Sequence, residues 1–144
     1  MTKKVTLRWT KDREFIAYDN DEGGSVGITG PNPPDSKSMG ASHLLLAALG
    51  GCMGTTIIAV MHKKRLNIEF FEIEVIGEHI DKWPMTFTHY HLTYRIKGDG
   101  VDDKTMEMAI YLAHERYCTV SSSTSGSKSY EYEILPAEAP VSAS

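Results

Sequence analysis

Cys52 and Cys118 are the only two thiols in the chain and stand 66 positions apart. A thiolate is the strongest nucleophile among unmodified side chains, so a cysteine pair in a reducing compartment suggests one attacking sulfur and one resolving sulfur. Two unrelated thiols are the other reading, because two cysteines in 144 residues are ordinary. Oxidative closure of so long a loop is worth about 4 kcal/mol on the chain-entropy model, provided the sulfurs can meet. Cys52 sits in the run Gly50-Gly51-Cys52-Met53-Gly54. Each glycine inside a helix costs roughly 1 kcal/mol relative to alanine. That cost is tolerable where something must come close to the backbone, either another helix or a ligand approaching the Cys52 sulfur. A third reading makes Cys52 a small buried hydrophobe among packing glycines.

The position of each sulfur on its helix bears on which one attacks. Cys118 ends a second helical pattern, where the negative end of the helix dipole opposes a thiolate, whereas Cys52 is mid-helix and gains little from the dipole. A reactive Cys52 therefore needs a cation. Arg13 and Arg8, in the N-terminal strands, are the available guanidiniums. Lys63, Lys64 and Arg65 lie about three turns further along the helix, too far to serve. Surface solvation is the ordinary role for each of these arginines. His43 precedes Cys52 by nine positions at the start of the same helix. His89 and His91 share a strand face and read as solvated side chains rather than metal ligands, and His114, four residues before Cys118, is read the same way. The chain has no phosphate loop, Ser-His-Asp constellation or dinucleotide fingerprint. No metal or other cofactor is expected.

These residues need elements to hold them. Val5, Leu7 and Trp9 alternate with Thr6 and Arg8, the period of a strand with one wet face. Phe15–Tyr18 and Ser25–Ile28 add two short strands across the turn-forming run Asp19–Gly24, giving an N-terminal meander. The proline-rich stretch 30–35 reads as a loop. From Leu44 to Met61 there are eighteen consecutive residues without a charge. That length reaches the membrane-span threshold. The internal glycines and threonines, and a mean hydropathy of -0.28 for the chain, favour a buried core helix instead. Residues 69–80 and the run from His89 to Ile96 alternate as an antiparallel hairpin across Asp81-Lys82-Trp83-Pro84, with Tyr90, Leu92, Tyr94 and Ile96 on one face. Asp102 or Asp103 can cap a second helix whose apolar stripe is Met106, Ala109, Ile110, Ala113 and Tyr117. A hydroxyl-rich stretch, Thr119–Ser129, precedes a last strand, Tyr130–Ile134, and residues 135–144 are expected to form a disordered tail.

The pattern describes a single α+β domain over residues 1–144. A helix apolar on every face needs more cover than one such chain supplies, which points to a homodimer sandwiching it. Fifteen basic residues against nineteen acidic ones leave a net charge of -4, so nothing is built to grip a phosphate backbone and nucleic acid is not an expected partner. No membrane partner is expected either. The first residues lack the apolar stretch of a signal peptide, so the expected compartment is cytoplasmic.

The residues Leu44-Leu45-Leu46-Ala47-Ala48-Leu49-Gly50-Gly51-Cys52 resemble the central-helix motif of the OsmC/Ohr family of thiol-dependent hydroperoxide reductases. Cys118-Thr119-Val120-Ser121 is similar to the family's second cysteine motif, and the element order fits from about Val5 to Ile134. The resemblance implies an intertwined α+β homodimer, with a long buried central helix packed against antiparallel sheets. It implies that Cys52 attacks an organic hydroperoxide, that Cys118 resolves the resulting sulfenic acid, and that an external dithiol resets the pair. Arg13 is the nearest match to the family's activating arginine. The family carries a glutamate nine or ten residues before the first cysteine, where this chain has His43 and Ser42, so His43 is expected to stand in for it. Thr119 likewise replaces the proline that usually follows the second cysteine. The motif looks closer to the OsmC-like branch than to the dedicated organic hydroperoxide reductases. The alternative implied by the missing glutamate is a non-catalytic relative that binds a small hydrophobic or thiol-reactive ligand at the dimer interface.

Overall fold

The computed structural model describes residues 1–31 and 37–140. The loop expected over 30–35 falls mostly outside them, as do residues 141–144. Contacts gather into two compact units, Met1–Leu45 and Leu46–Ser144.

The first unit is the expected meander. Strands β1 (Val5–Lys11), β2 (Glu14–Asp19) and β3 (Ser25–Thr29) pair antiparallel in that order, and the short β4 (Met39–Gly40) runs parallel to β3. Its turns follow from local chemistry. Asp19 Oδ1 accepts from the backbone N–H of Asp21 at 2.8 Å and of Glu22 at 3.1 Å, and Gly23 and Gly24 take φ of +83° and +120°. Asp and Gly tolerate such geometry at little cost. Among the described residues of this unit only Ala17 and Thr29 are buried, while Leu7 is 51% and Trp9 64% exposed.

The second unit holds the core. Helix α1 (Ala41–Lys63) begins in the first unit and continues into the second, where strands β5 (Asn67–His79) and β6 (Phe87–Asp99) form the expected antiparallel hairpin. Gly100, at φ +83°, turns the chain toward α2 (Asp103–Leu112), which Asp102 caps by accepting from Thr105 N–H at 2.8 Å. A π turn (Ala113–Tyr117) and a short helix α3 (Thr119–Ser123) follow, and β7 (Ser127–Ile134) returns parallel to β6. Leu49, Met53, Ile57 and Met61 recur every fourth residue on α1 and join Tyr90, Leu92, Tyr94 and Ile96 of β6 in one buried cluster with Met106, Ala109 and Ile110. The predicted apolar face of β6 is therefore the core face. Residues 135–140, assigned to the disordered tail, form a turn here: Leu135 N–H donates to Ile96 O at 2.7 Å, and Lys97 Nζ donates to Ala139 O at 3.0 Å.

Within the single chain one stripe of helix α1 is covered, and Ala47, Ala48, Gly51, Thr55 and Ala59 are exposed. By length and composition alone it is apolar enough to cross a membrane, with mean hydropathy 2.1 over an 18-residue window. Its glycines divide by face. A Cβ on Gly50 would meet Val75 Cγ2 at 2.9 Å and one on Gly54 would meet Ile73 Cδ1 at 2.7 Å, so both let α1 lie close on β5. A Cβ on Gly51 would meet nothing within 4 Å. Beside it runs an open groove of about 640 Å³, lined by Ala47, Gly51, Thr55, Ala59, Phe71 and Ile73 among others. Gly51→Ala should therefore stabilise the fold by up to about 1 kcal/mol through helix propensity. Gly50→Val should destabilise it by about 1–3 kcal/mol through overpacking against the stiff Val75. Urea midpoints of the two variants check both signs.

Candidate active site

The second thiol reaches the core through the π turn. Helical spacing from Met106, Ala109, Ile110 and Ala113 would bring Tyr117 inward next. The π turn inserts one residue, so the inward position passes to Cys118: Tyr117 is 64% exposed and Cys118 2%. Single π turns of this kind recur at functional sites. Cys118 is the C-cap of this turn, at the helix C-terminus that the sequence suggested, and at φ -86°, ψ 103° it is also the N-cap of α3, its Sγ accepting from Ser121 N–H at 3.2 Å. An N–H donor thus meets the sulfur alongside the carbonyl end of the preceding turn.

Cys52 lies half-buried on α1, packed against the core cluster, with its carbonyl accepting from Thr55 Oγ1 at 3.1 Å and Thr56 Oγ1 at 3.3 Å. The two thiols, neither in a disulfide, lie within hydrogen-bonding reach of each other. Burial, followed by the hydrogen bond with Cys52, pushes the Cys118 thiol up from the usual 9.0 to about 11, against the opposing pull of the Ser121 N–H. Cys118 is thus held as the protonated partner.

A polar pair sits beside the sulfurs in the same core. Tyr94 OH and His114 Nε2 are 2.8 Å apart, their rings meet edge to face, and the His114 ring tilts against Tyr130 with centroids 5.0 Å apart. Burial raises the Tyr94 phenol above its ordinary value, helped by the nearby charges of Cys118 and Tyr130. Burial also lowers His114, which keeps the imidazole neutral at pH 7; Glu115 opposes this and Lys128 reinforces it. Sequence reasoning missed Tyr94 and read His114 as solvated. The available signal was a phenol on an otherwise apolar strand face, since a buried hydroxyl demands a partner, together with an imidazole next to Ala113 on the apolar side of α2.

Of the four candidate residues, the structure brings Cys52 and Cys118 together. Arg13 and His43 belong to the first unit. Arg13 lies exposed in the turn between β1 and β2, its carbonyl accepting from Gly30 N–H at 3.2 Å and its side chain lying along Gly30. His43 lies exposed in the first turn of α1, its Nδ1 beside Gly40. Arg8, the other guanidinium considered, sits 5.6 Å over the Tyr18 ring. His89 and His91 are engaged with β7: His89 bonds Ser127 and Ser129 at 2.6 and 2.7 Å, and His91 bonds Ser129 at 2.7 Å with Glu131 at 3.5 Å. Among the described residues, no group of three or more His, Cys, Asp or Glu side chains is placed to hold a metal ion.

A long helix on a three-stranded sheet, with one thiol on that helix and a second delivered by the crossover between β6 and β7, defines a two-cysteine α+β protein. The model of the family described as "OsmC-like protein" matches residues 32–133, and the chain belongs to that family. Among characterised sequences, it is 25% identical to Protein YhfA of Escherichia coli K12 over 118 residues, 82% of this chain and 86% of YhfA. A hypothetical protein from Aquifex aeolicus VF5 superposes with a TM-score of 0.76 at 24% identity, covering 94% of this chain and 99% of that one. The organic hydroperoxide resistance protein OhrB of Bacillus subtilis superposes with a TM-score of 0.57 at 22% identity, covering 94% and 98%. The structural likenesses establish the fold.

The Cys118 environment predicts a pH dependence. The native state favours the neutral thiol, so the unfolded chain loses its proton first, above about 9. Stability linked to Cys118 is then lost as pH rises from the ordinary value of 9.0 toward about 11. Urea midpoints should show the gap between wild type and Cys118→Ala narrowing over this interval and staying constant below pH 8.

Proposed function

We propose that the protein is a thiol peroxidase that reduces organic hydroperoxides in the reducing cytoplasm. The observation that carries this reading is the meeting of Cys52 and Cys118, 66 positions apart in sequence, with Cys118 kept protonated by burial. The Cys52 thiolate attacks the peroxide oxygen, the O–O bond breaks, and an alcohol leaves. Cys52 is then a sulfenic acid, and Cys118 displaces its hydroxyl as water to form the disulfide. An external dithiol returns both thiols. In this reading the family resemblance assigns Arg13 as the cation that favours the Cys52 thiolate, and His43 as the substitute for the glutamate that holds this arginine in the family. The apolar core cluster against which Cys52 packs, with Leu49 and Met53 on the same helix, favours an alkyl hydroperoxide over hydrogen peroxide. Membership of the OsmC-like family and the fold shared with a hydroperoxide resistance protein support the reading.

The second part of the proposal is a homodimer. The uncovered face of α1 with its open groove is the surface that a second copy would bury. Sedimentation equilibrium should give twice the chain mass of 16.0 kDa, and Ala59→Arg on the groove should shift the protein toward monomer. A wild-type mass of one chain would contradict the dimer.

The same groove favours a second reading, a non-catalytic binder of a small hydrophobic or thiol-reactive ligand. Consumption of an alkyl hydroperoxide with excess dithiol separates the two. The peroxidase reading expects turnover by wild type, a loss of at least about a hundredfold in Cys52→Ser, and a smaller loss in Arg13→Ala. Equal, slow consumption by wild type and Cys52→Ser would leave the binder.

A further inference from the structure

We infer that the Tyr94–His114 hydrogen bond positions Cys118: it pins the π turn in the register that points this sulfur into the core, where Cys52 packs. The inference rests on the proposed redox couple and names two positioning residues for its second sulfur. Both act through the backbone of the turn.

The turn is held at its two ends. Regular α-helical bonding persists to Ala113, whose N–H still reaches Ala109 O, so the departure from the α path begins with His114. At the far end Cys118 closes the turn and caps α3 through Ser121 N–H. Between them Glu115, Arg116 and Tyr117 are exposed. Among the described residues, His114 is the one member of the turn whose side chain makes a hydrogen bond, with its Nε2 2.8 Å from Tyr94 OH.

Tyr94 is a fixed point for that bond. It is completely buried on β6, stands opposite Ile73 of β5 and Tyr132 of β7, and stacks on Phe71 with ring centroids 6.4 Å apart. The His114 ring lies in turn against Tyr130, with centroids 5.0 Å apart. A turn with more residues per rotation advances each one by a smaller angle. That keeps His114 nearer the buried stripe of Ala113, and it moves Cys118 into the stripe in place of Tyr117. The two ends therefore respond to one variable. Closing the turn to α spacing would draw His114 away from Tyr94 and leave a buried hydroxyl without its partner, which costs free energy. Two apolar side chains could fill the same space, but they would not prefer one register as a directional bond does. Without the bond the fold survives and Cys118 swings to the flank.

Two measurements on the intact chain test the clamp. The first is alkylation of Cys118 by iodoacetamide under native conditions, in a Cys52→Ser background. Cys118 is 2% exposed and should react slowly. Tyr94→Phe and His114→Leu should each speed the reaction by at least about tenfold through local opening. The double variant should be no faster than either single one, because both break one bond. His114→Gln, whose amide can still meet the phenol, should recover most of the protection.

The second is the equilibrium of the Cys52–Cys118 disulfide in a glutathione buffer. Oxidised glutathione takes up the two hydrogens of the thiols and leaves as two molecules of reduced glutathione. Tyr94→Phe and His114→Leu should each lower the equilibrium constant at least about tenfold, about 30 mV for a two-electron couple. A pair that merely stabilised the fold would weaken the oxidised and reduced proteins alike and leave this constant unchanged. Circular dichroism and urea midpoints establish folding, and either single variant stands for the pair if the other does not fold. A wild-type alkylation rate, or a wild-type equilibrium constant, in a folded single variant would overturn the clamp. Faster alkylation in the variants, with no disulfide in wild type at any glutathione ratio, would sink the redox couple and leave the clamp in place.

Discussion

The π turn from Ala113 to Tyr117 gives up regular α-helical hydrogen bonding, and what that secures is the placement of one sulfur. An unbroken helix would carry Tyr117 into the core and leave Cys118 beside it on the flank. With one residue added to the turn, Tyr117 is released to solvent, Cys118 faces inward, and the chain then starts α3 with the Cys118 sulfur as its cap. Ser121 N–H, the Cys52 thiol and the surrounding apolar side chains all meet the sulfur as a result. The same turn carries His114 to Tyr94. A single register change therefore assembles both the thiol pair and the polar pair next to it.

Helix α1 works under a different constraint. Its stripe at every fourth residue, Leu49 through Met61, is spent on the core of the second unit, and Gly50 and Gly54 bring its backbone down onto β5. Gly51 and Ala47 are then exposed along the groove. An apolar helix with one satisfied face and one open face is stable in water only if the open face is small or covered. Cys52 lies between the two, half-buried, with its sulfur toward Cys118. A thiol at such a border can be reached by a small molecule while its neighbours still exclude water.

Much of this was legible in the sequence because strands and helices write their periods plainly. The alternation of Tyr90, Leu92, Tyr94 and Ile96 marked the buried face of β6, and the acidic cap at Asp102 marked the start of α2. The Gly-Gly-Cys run and the Cys118 motif pointed to the family. What stayed hidden came from departures from periodicity. A π turn has no hydrophobic signature of its own, so the stripe was extended to Tyr117 when the inward residue was Cys118. The uncharged run of α1 read as uniform because hydropathy alone does not distinguish a face packed on β5 from a face left open. His114 looked solvated because its partner, Tyr94, lies twenty positions away on another element. Arg13 and His43 rest on the family resemblance, and the thiol pair rests on the packing of the second unit.

The central claim is that Cys52 and Cys118 form one redox couple. The most direct test is the intact mass of the reduced protein after one equivalent of an alkyl hydroperoxide, with peptide mapping of the product. A loss of two hydrogens with a single Cys52–Cys118 cross-link is the predicted result. Cys52 left as a sulfenic acid by the addition of one oxygen, with Cys118 still a free thiol, would contradict it.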